Sequence, residues 1–277
     1  MSVTAPSDEA LLAAAIEKEA RLKELLTGYG PIVIAYSGGV DSTYLADVAH
    51  DALGADARVL MGDSASLPRS EKDEAIAIAR ERGWNLEIIP TEEFDQEAYL
   101  RNDGTRCYHC RTELFTKMQR YAERSGIKTL AYGAIVDDLL DPTRLGAKAA
   151  SEHRVVAPLQ EAELSKAEIR VLSARRNLPT ADKPSFACLS SRFPKGTRVT
   201  KDDIARVEAA EETLKKLGFR QYRARHHGDL CRIEIDAADL PRFLDDAIRR
   251  NVVQAISAVG YRYVTLDLAC YRTGSTA

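Results

Sequence analysis

At 277 residues the chain exceeds the usual size of one domain, and 45% hydrophobic against 29% charged residues describes a folded protein with a real core, not a disordered one. A formal net charge of -3 argues against a general polyanion binder, which would carry a basic excess or stripe, so no nucleic-acid partner is expected. The first residues lack a basic and apolar leader and no apolar run approaches a membrane span, so a cytoplasmic protein without a membrane partner is expected.

In chain order, apolar residues recur at helical spacing over 8–26, and Gly28 and Gly30 end that amphipathic helix. An apolar, β-branched strand over 31–36 then meets Ser37-Gly38-Gly39-Val40-Asp41-Ser42, and a helix over 43–53 follows. Strand, glycine turn and helix start in that order make a phosphate cradle, because successive backbone N–H groups and a helix N-terminus converge on one point. The spacing is not that of a Walker A loop, which needs a longer run and a Lys-Ser/Thr pair. The stretch resembles the SGGxDS loop of the PP-loop ATP pyrophosphatases, which use ATP to activate a carbonyl, usually as an adenylate. Asp41 would repel phosphates on its own and becomes useful if Mg²⁺ bridges it to them. The alternative is a carboxylate that merely stabilises the helix N-terminus by about 0.3–1 kcal/mol, with Ser42 as a local cap.

A strand over 57–61 ends at Gly62-Asp63-Ser64-Ala65-Ser66; a helix over 68–82 and a third strand over 85–89 follow. Strands alternating with such helices imply a parallel twisted sheet covered by helices on both faces, an α/β fold. The glycine loop and Gly62 to Ser66 should share the carboxyl edge of that sheet, with a nucleotide across both. A polar stretch over 91–106 leads to Cys107-Tyr108-His109-Cys110 and a helix over 112–126. A fourth strand over 128–132 closes in 133–138, a loop over 139–146 contains Asp141-Pro142, and 155–159 reads as a short strand. Ser165-Lys166-Ala167-Glu168 is a capping box starting a helix to 176.

The composition changes over 180–196, which has two prolines and no periodicity and reads as a loop between domains. The expected division is an ATP-binding domain over 1–183 and a smaller α+β domain over 184–277. In the latter, Thr200 caps a helix to 218, strands run over 222–226 and 231–235, a helix over 240–259 breaks near Asn251, and 261–268 is the last strand.

Five cysteines, an odd number, direct attention to reactive thiols or metal ligands and away from a disulfide framework. Cys107 and Cys110 form a CxxC, open among a redox pair, half a zinc site, part of an iron–sulfur site and plain thiols in a turn. With Cys188 they could hold a 4Fe-4S cluster with one iron open. Cys188 lies among Lys183, Arg192 and Lys195, cations that favour the nucleophilic thiolate. Cys231 and Cys270 sit in strand-like apolar contexts, where a buried inert thiol is expected. Arg223 and Arg225 alternate along a strand and project to one face, which suits a phosphate, a pair of carboxylates or simply solvent.

Together these motifs, with Leu178 to Gly196 as the most specific run, resemble the LarE family of ATP-dependent sulfur transferases over about residues 20–275. That family works in building a nickel-pincer nucleotide: it adenylates a carboxylate of a pyridinium dicarboxylate mononucleotide and replaces an oxygen with sulfur. The resemblance implies that Ser37, Gly38, Gly39, Asp41 and Ser42 hold phosphate and Mg²⁺, that Ser64 and Gly133 approach the adenosine, and that Lys183 neutralises phosphate charge. It implies that Arg192, Arg223 and Arg225 meet the anionic substrate, with Glu211 near the site. In that family sulfur comes either from the matching cysteine, here Cys188 by the resemblance, which is left as dehydroalanine, or from a sulfide on a 4Fe-4S cluster. The presence of Cys107 and Cys110 as well as Cys188 leans towards the cluster branch. Lys195 stands where a Tyr is expected before Gly196, and Leu139 to Arg144 departs from the usual pattern.

The competing readings are a tRNA thiolase or an amide-forming synthetase with the same loop, and a non-catalytic ATP sensor. The acidic balance argues against the first, the lack of a glutaminase segment against the second, and the three cysteines against the third. A homo-oligomer is expected.

Overall fold

The structure, a computed structural model, describes residues 8–140, 145–184 and 187–272. Contacts divide the chain into two compact units, the first of residues 1–64, 69–93 and 107–185, the second of 65–68, 94–106 and 186–277.

The first unit alternates helix and strand: α1 (Asp8–Tyr29), β1 (Ile32–Ala35), α2 (Val40–Leu53), β2 (Ala57–Asp63), α3 (Arg69–Glu81) and β3 (Asn85–Pro90). After α4 (Glu97–Leu100), which belongs to the second unit, come α5 (Arg106–Ser125), β4 (Thr129–Ala131), α6 (Leu145–Glu152), α7 (Pro158–Glu161) and α8 (Lys166–Arg175). The four strands form a parallel sheet in the order β3-β2-β1-β4, with Ile34 opposite Val59 on one side and Ala131 on the other. Alternation along β1 explains why the sheet is covered twice. Ile32 and Ile34 join Leu22, Leu26, Leu45 and Leu172 in one core, while Val33 joins Leu60, Phe115 and Met118 in another. Because β2 lies on one side of β1 and β4 on the other, the strand order reverses between β1 and β4, where such sheets place ligands.

The second unit carries α9 (Lys201–Lys216), β5 (Tyr222–His227), β6 (Leu230–Ile235), α10 (Asp246–Ala258) and β7 (Tyr263–Leu266). β5 and β6 pair antiparallel, and β6 and β7 parallel. Leu214, Phe219, Tyr222, Ala224, Ile233, Val252 and Ile256 form its core. It recruits 94–106 through backbone bonds, Gly196 N to Asn102 O at 2.8 Å and Val199 N to Leu100 O at 2.9 Å, so it is not contiguous as the division at 183/184 supposes.

Several elements differ from the sequence expectation. The cysteine-bearing helix begins at Arg106 instead of 112, and α6 occupies 145–152, where the expectation held no helix. Val156 contributes one parallel bridge to Ala131 instead of a strand, because Pro158, which has no N–H to give a ladder, opens α7 at its first turn. The break in the C-terminal helical stretch falls at Asp245, whose carboxylate caps α10 through Ala247 N and Ile248 N after a 3₁₀ segment over Ala237–Leu244, and not near Asn251. Cys270 lies beyond β7 in a left-handed backbone conformation, φ 59°, so its expected strand-like setting is not what is found. The expected loop at Asp141-Pro142 and the departure up to Arg144 lie outside the described residues. Among the described residues no helix is long and apolar enough to cross a membrane.

His226 is expected to make the second unit acid-sensitive. Its buried ring stacks on Phe193 at 4.7 Å, its Nδ1 lies 3.0 Å from the Tyr261 hydroxyl and its Nε2 3.8 Å from Asp203. Burial pushes it below the usual imidazole range, with Asp203 opposing and Arg206 and His227 adding to the effect. His227 is lowered too, by burial and then by Arg232 and Arg225. A lowered folded pKa means that, below about pH 6.5, the unfolded chain binds more protons than the folded one, so stability is full above that pH and falls as it drops. The thermal midpoint is expected to decline from pH 7 to pH 5.5, and less steeply in His226→Gln.

Candidate functional site

The glycine loop connects β1 to α2 at the β1/β4 reversal. Its two serines knit it together: Ser42 Oγ accepts from Ser37 N at 3.2 Å, lies 3.0 Å from Ser37 Oγ and donates to Gly39 O at 3.1 Å. Ser42 therefore does not cap α2 as expected. The N-cap is Gly39, with no side-chain hydrogen bond, which leaves the first-turn N–H groups of a 14-residue helix without the usual partner. That is the arrangement that receives an anion.

Two glycines are dictated by packing. Gly38 has φ 73°, and a Cβ there would fall 2.7 Å from Ala75 Cβ on α3. Gly133, just past β4, lies so close to α2 that a Cβ would stand 3.0 Å from Ser42 N and 3.2 Å from the Asp41 carbonyl carbon. In this geometry Gly133 seats the glycine loop. Gly38→Ala combines a left-handed backbone with a clash and is expected to cost about 2–4 kcal/mol in urea unfolding.

Asp41 stands on the first turn of α2, with Lys166 Nζ 2.7 and 2.6 Å from its two carboxylate oxygens. Burial pushes Asp41 above the ordinary carboxylate range, and Lys166 opposes the shift. A carboxylate at the mouth of an uncapped loop fits a divalent cation shared with phosphates, since Mg²⁺ takes one or two carboxylates plus substrate oxygens. Lys183, expected at the phosphates, is engaged by Glu71 at 2.6 Å and Glu74 at 3.2 Å on α3. Ser64, at the carboxyl end of β2, donates to the buried carboxylate of Glu93.

In the second unit Cys188 is half-buried and precedes a 3₁₀ turn over Leu189–Arg192 that hydrogen bonds hold in place. Leu189 N donates to Ser66 O at 2.8 Å, the Ser190 hydroxyl meets the Tyr99 hydroxyl at 2.7 Å, and Arg106 donates to Ser190 O at 2.6 Å. Arg225 donates to Ser191 O at 3.1 Å, and Arg192 to the carbonyls of Ala187 and Cys188 at 2.5 and 3.0 Å. Asn102 secures the loop beyond, donating to Pro194 O and Thr197 O at 2.9 and 3.2 Å.

The arginines expected to meet an anion are turned inward. Arg192 is 0% exposed and paired through two nitrogens with Glu211 at 2.7 and 2.8 Å, and Arg225 is 4% exposed and paired with Glu234 at 2.7 Å. Arg223, 3% exposed, donates to Tyr222 O at 2.6 Å and lies over the Tyr271 ring. Burial, then the Arg192 charge, lowers its pKa. Arg192 and Arg225 hold the backbone of the Cys188 turn. Glu211 ties α9 to β5 by accepting from Ala224 N at 3.0 Å.

Cys107 and Cys110 stand one helical turn apart on the first turns of α5, hence on one face. Among the described residues no three Cys, His, Asp or Glu side chains gather into a metal-holding group. Cys107 and Cys110 belong to the first unit and Cys188 to the second. Burial raises the Cys231 thiol to about 12, in keeping with an inert role.

Lys166, Tyr99 and Asn102 are absent from the expected site. Lys166 is visible in sequence only as the residue after a helix cap, and its approach to Asp41 spans 125 positions.

Three relatives align over nearly the whole chain. An uncharacterized protein of Synechocystis sp. is 39% identical over 259 residues, 92% of this chain and 96% of its own length. The pyridinium-3,5-bisthiocarboxylic acid mononucleotide synthase of Lactiplantibacillus plantarum is 34% identical over 260 residues, 93% of this chain and 92% of its own length. An uncharacterized protein of Methanocaldococcus jannaschii is 24% identical over 242 residues, 87% of this chain and 91% of its own. No protein-family model matches the chain.

Proposed function

Since the chain belongs to the LarE family of pyridinium-3,5-bisthiocarboxylic acid mononucleotide synthases, we propose a two-step sulfur transfer in which the glycine loop activates and Cys188 delivers. The protein is a sulfur-transferring enzyme of nickel-pincer nucleotide synthesis, acting on a small-molecule nucleotide. ATP is the proposed activator. The observation that carries this division of labour is the uncapped α2 N-terminus beside Asp41 at the β1/β4 reversal.

A carboxylate oxygen of the pyridinium dicarboxylate mononucleotide attacks the α-phosphorus of ATP. The new C–O–P bond forms as the bridging P–O bond breaks, and pyrophosphate leaves with the electron pair. The first-turn N–H groups of α2 hold phosphate oxygens, and Ser37 and Ser42 keep the loop in shape. Mg²⁺ held by Asp41, when bound, offsets the charge that builds on the phosphates. The Cys188 thiolate then attacks the acyl carbon, AMP leaves, and a thioester joins protein and substrate. Removal of the Cys188 Cα proton by a base breaks the Cβ–Sγ bond. Sulfur departs with that electron pair as the thiocarboxylate, and dehydroalanine remains at 188.

A second reading, with sulfur from a cluster-bound sulfide, is favoured by the shared face of Cys107 and Cys110. Incubation with ATP, Mg²⁺ and the dicarboxylate mononucleotide tests both. AMP and pyrophosphate should appear with loss of the mass of H₂S at Cys188, whereas an intact Cys188 with iron and sulfide in anaerobically prepared protein supports the second reading. No AMP at all would end both.

A further inference from the structure

We infer that Lys166 is the resident counter-ion of Asp41 in the nucleotide-free enzyme and yields that carboxylate to the divalent cation that arrives with the nucleotide. This rests on the reading of the glycine loop as the adenylation site. Both partners have fixed backbones. Asp41 is locked by the close approach of Gly133 to the backbone at residues 41 and 42. Lys166 sits on the first turn of α8 behind the Ser165 and Glu168 capping box, and its N–H donates to Asp137 at 3.0 Å. The lysine side chain is 37% exposed and reaches both Asp41 oxygens at 2.6 and 2.7 Å.

An ammonium and a hard dication compete for the same two oxygens, so both cannot be held fully at once. Displaced from Asp41, the ammonium remains anchored within one side chain's reach of the phosphate end of α2, where it can meet the negative charge of the triphosphate. Lys166 is thus a positioning residue with two partners used in turn. The ligand-free geometry is autoinhibitory towards metal alone, which makes cation binding depend on the nucleotide.

The test pairs metal affinity with turnover. Mn²⁺ titrated into nucleotide-free Lys166→Gln and followed by electron paramagnetic resonance should bind about two- to fivefold tighter than to the wild type. Pyrophosphate release from ATP and the dicarboxylate should fall about 10²-fold. Lys166→Arg keeps the charge and should keep wild-type Mn²⁺ affinity. Asp41→Asn should abolish Mn²⁺ binding in either background. A merely structural lysine would leave Mn²⁺ affinity unchanged or weaken it, and that result overturns the inference, as does Mn²⁺ binding that survives Asp41→Asn. If the wild type releases no pyrophosphate, the adenylation reading fails, while the Mn²⁺ comparison still decides whether Lys166 blocks Asp41.

Discussion

Cys188→Ala is expected to release AMP and pyrophosphate at close to the wild-type single-turnover rate while forming no thiocarboxylate. In the proposed mechanism the first step needs only the glycine loop and its ligands in the first unit, whereas Cys188 belongs to the second, so the substitution separates them. Water can still hydrolyse the acyl adenylate, returning the starting carboxylate, so ATP is consumed without sulfur transfer. A serine at 188 would give an ester in place of a thioester and end at the same carboxylate. The measurement is chromatography of AMP beside mass spectrometry of substrate and protein. Thiocarboxylate formed by Cys188→Ala would show that Cys188 is not the sulfur donor. Cys107→Ala discriminates further: transfer persists if Cys188 gives its own sulfur and is lost if a cluster supplies it. The turn around Cys188 should survive these changes, because Leu189, Ser190 and Ser191 are held through backbone and hydroxyl groups that the substitution leaves in place.

The parts legible in sequence are those whose cause is local. β1 is four apolar residues before a glycine turn, and the box at Ser165 and Glu168 is closed in the structure as its spacing predicts. Val155 and Val156 suggested a strand by β-propensity, yet Pro158 two residues on starts a helix and leaves one bridge. The start of α5 is not legible because Arg106-Cys-Tyr-His-Cys-Arg111 carries no aliphatic stripe, and α6 is built largely on Ala149 and Ala150, too small to mark a periodicity. The glycine loop and the Cys188 turn can each be picked out in sequence from their neighbours. The partners of the charges cannot: Asp41 with Lys166, Arg225 with Glu234 and Arg192 with Glu211 are matches made by topology. Read without those carboxylates, buried arginines look like anion receptors.

Breaking the Arg192–Glu211 pair is expected to have the largest effect on stability. Arg192 is fully buried, Glu211 is 4% exposed, and two parallel hydrogen bonds join them. Burial alone would depress the Arg192 pKa, and the Glu211 carboxylate outweighs it and raises it. Arg192→Met leaves a buried carboxylate whose oxygens keep Ala224 N as a donor but lose the guanidinium, at a cost of about 3–5 kcal/mol in denaturant unfolding. Glu211→Met strands the guanidinium and should cost a similar amount. The double variant replaces both charges by apolar groups and should recover much of the loss, because two unpaired buried charges are then avoided. Sulfur transfer should not recover with it. Arg192 also donates to the carbonyls of Ala187 and Cys188, and methionine cannot, so the proposed sulfur donor is no longer fixed. Restored folding with transfer still impaired, read as unfolding free energy beside thiocarboxylate yield, would assign Arg192 to positioning Cys188. Recovery of both together would leave it a purely structural partner of Glu211.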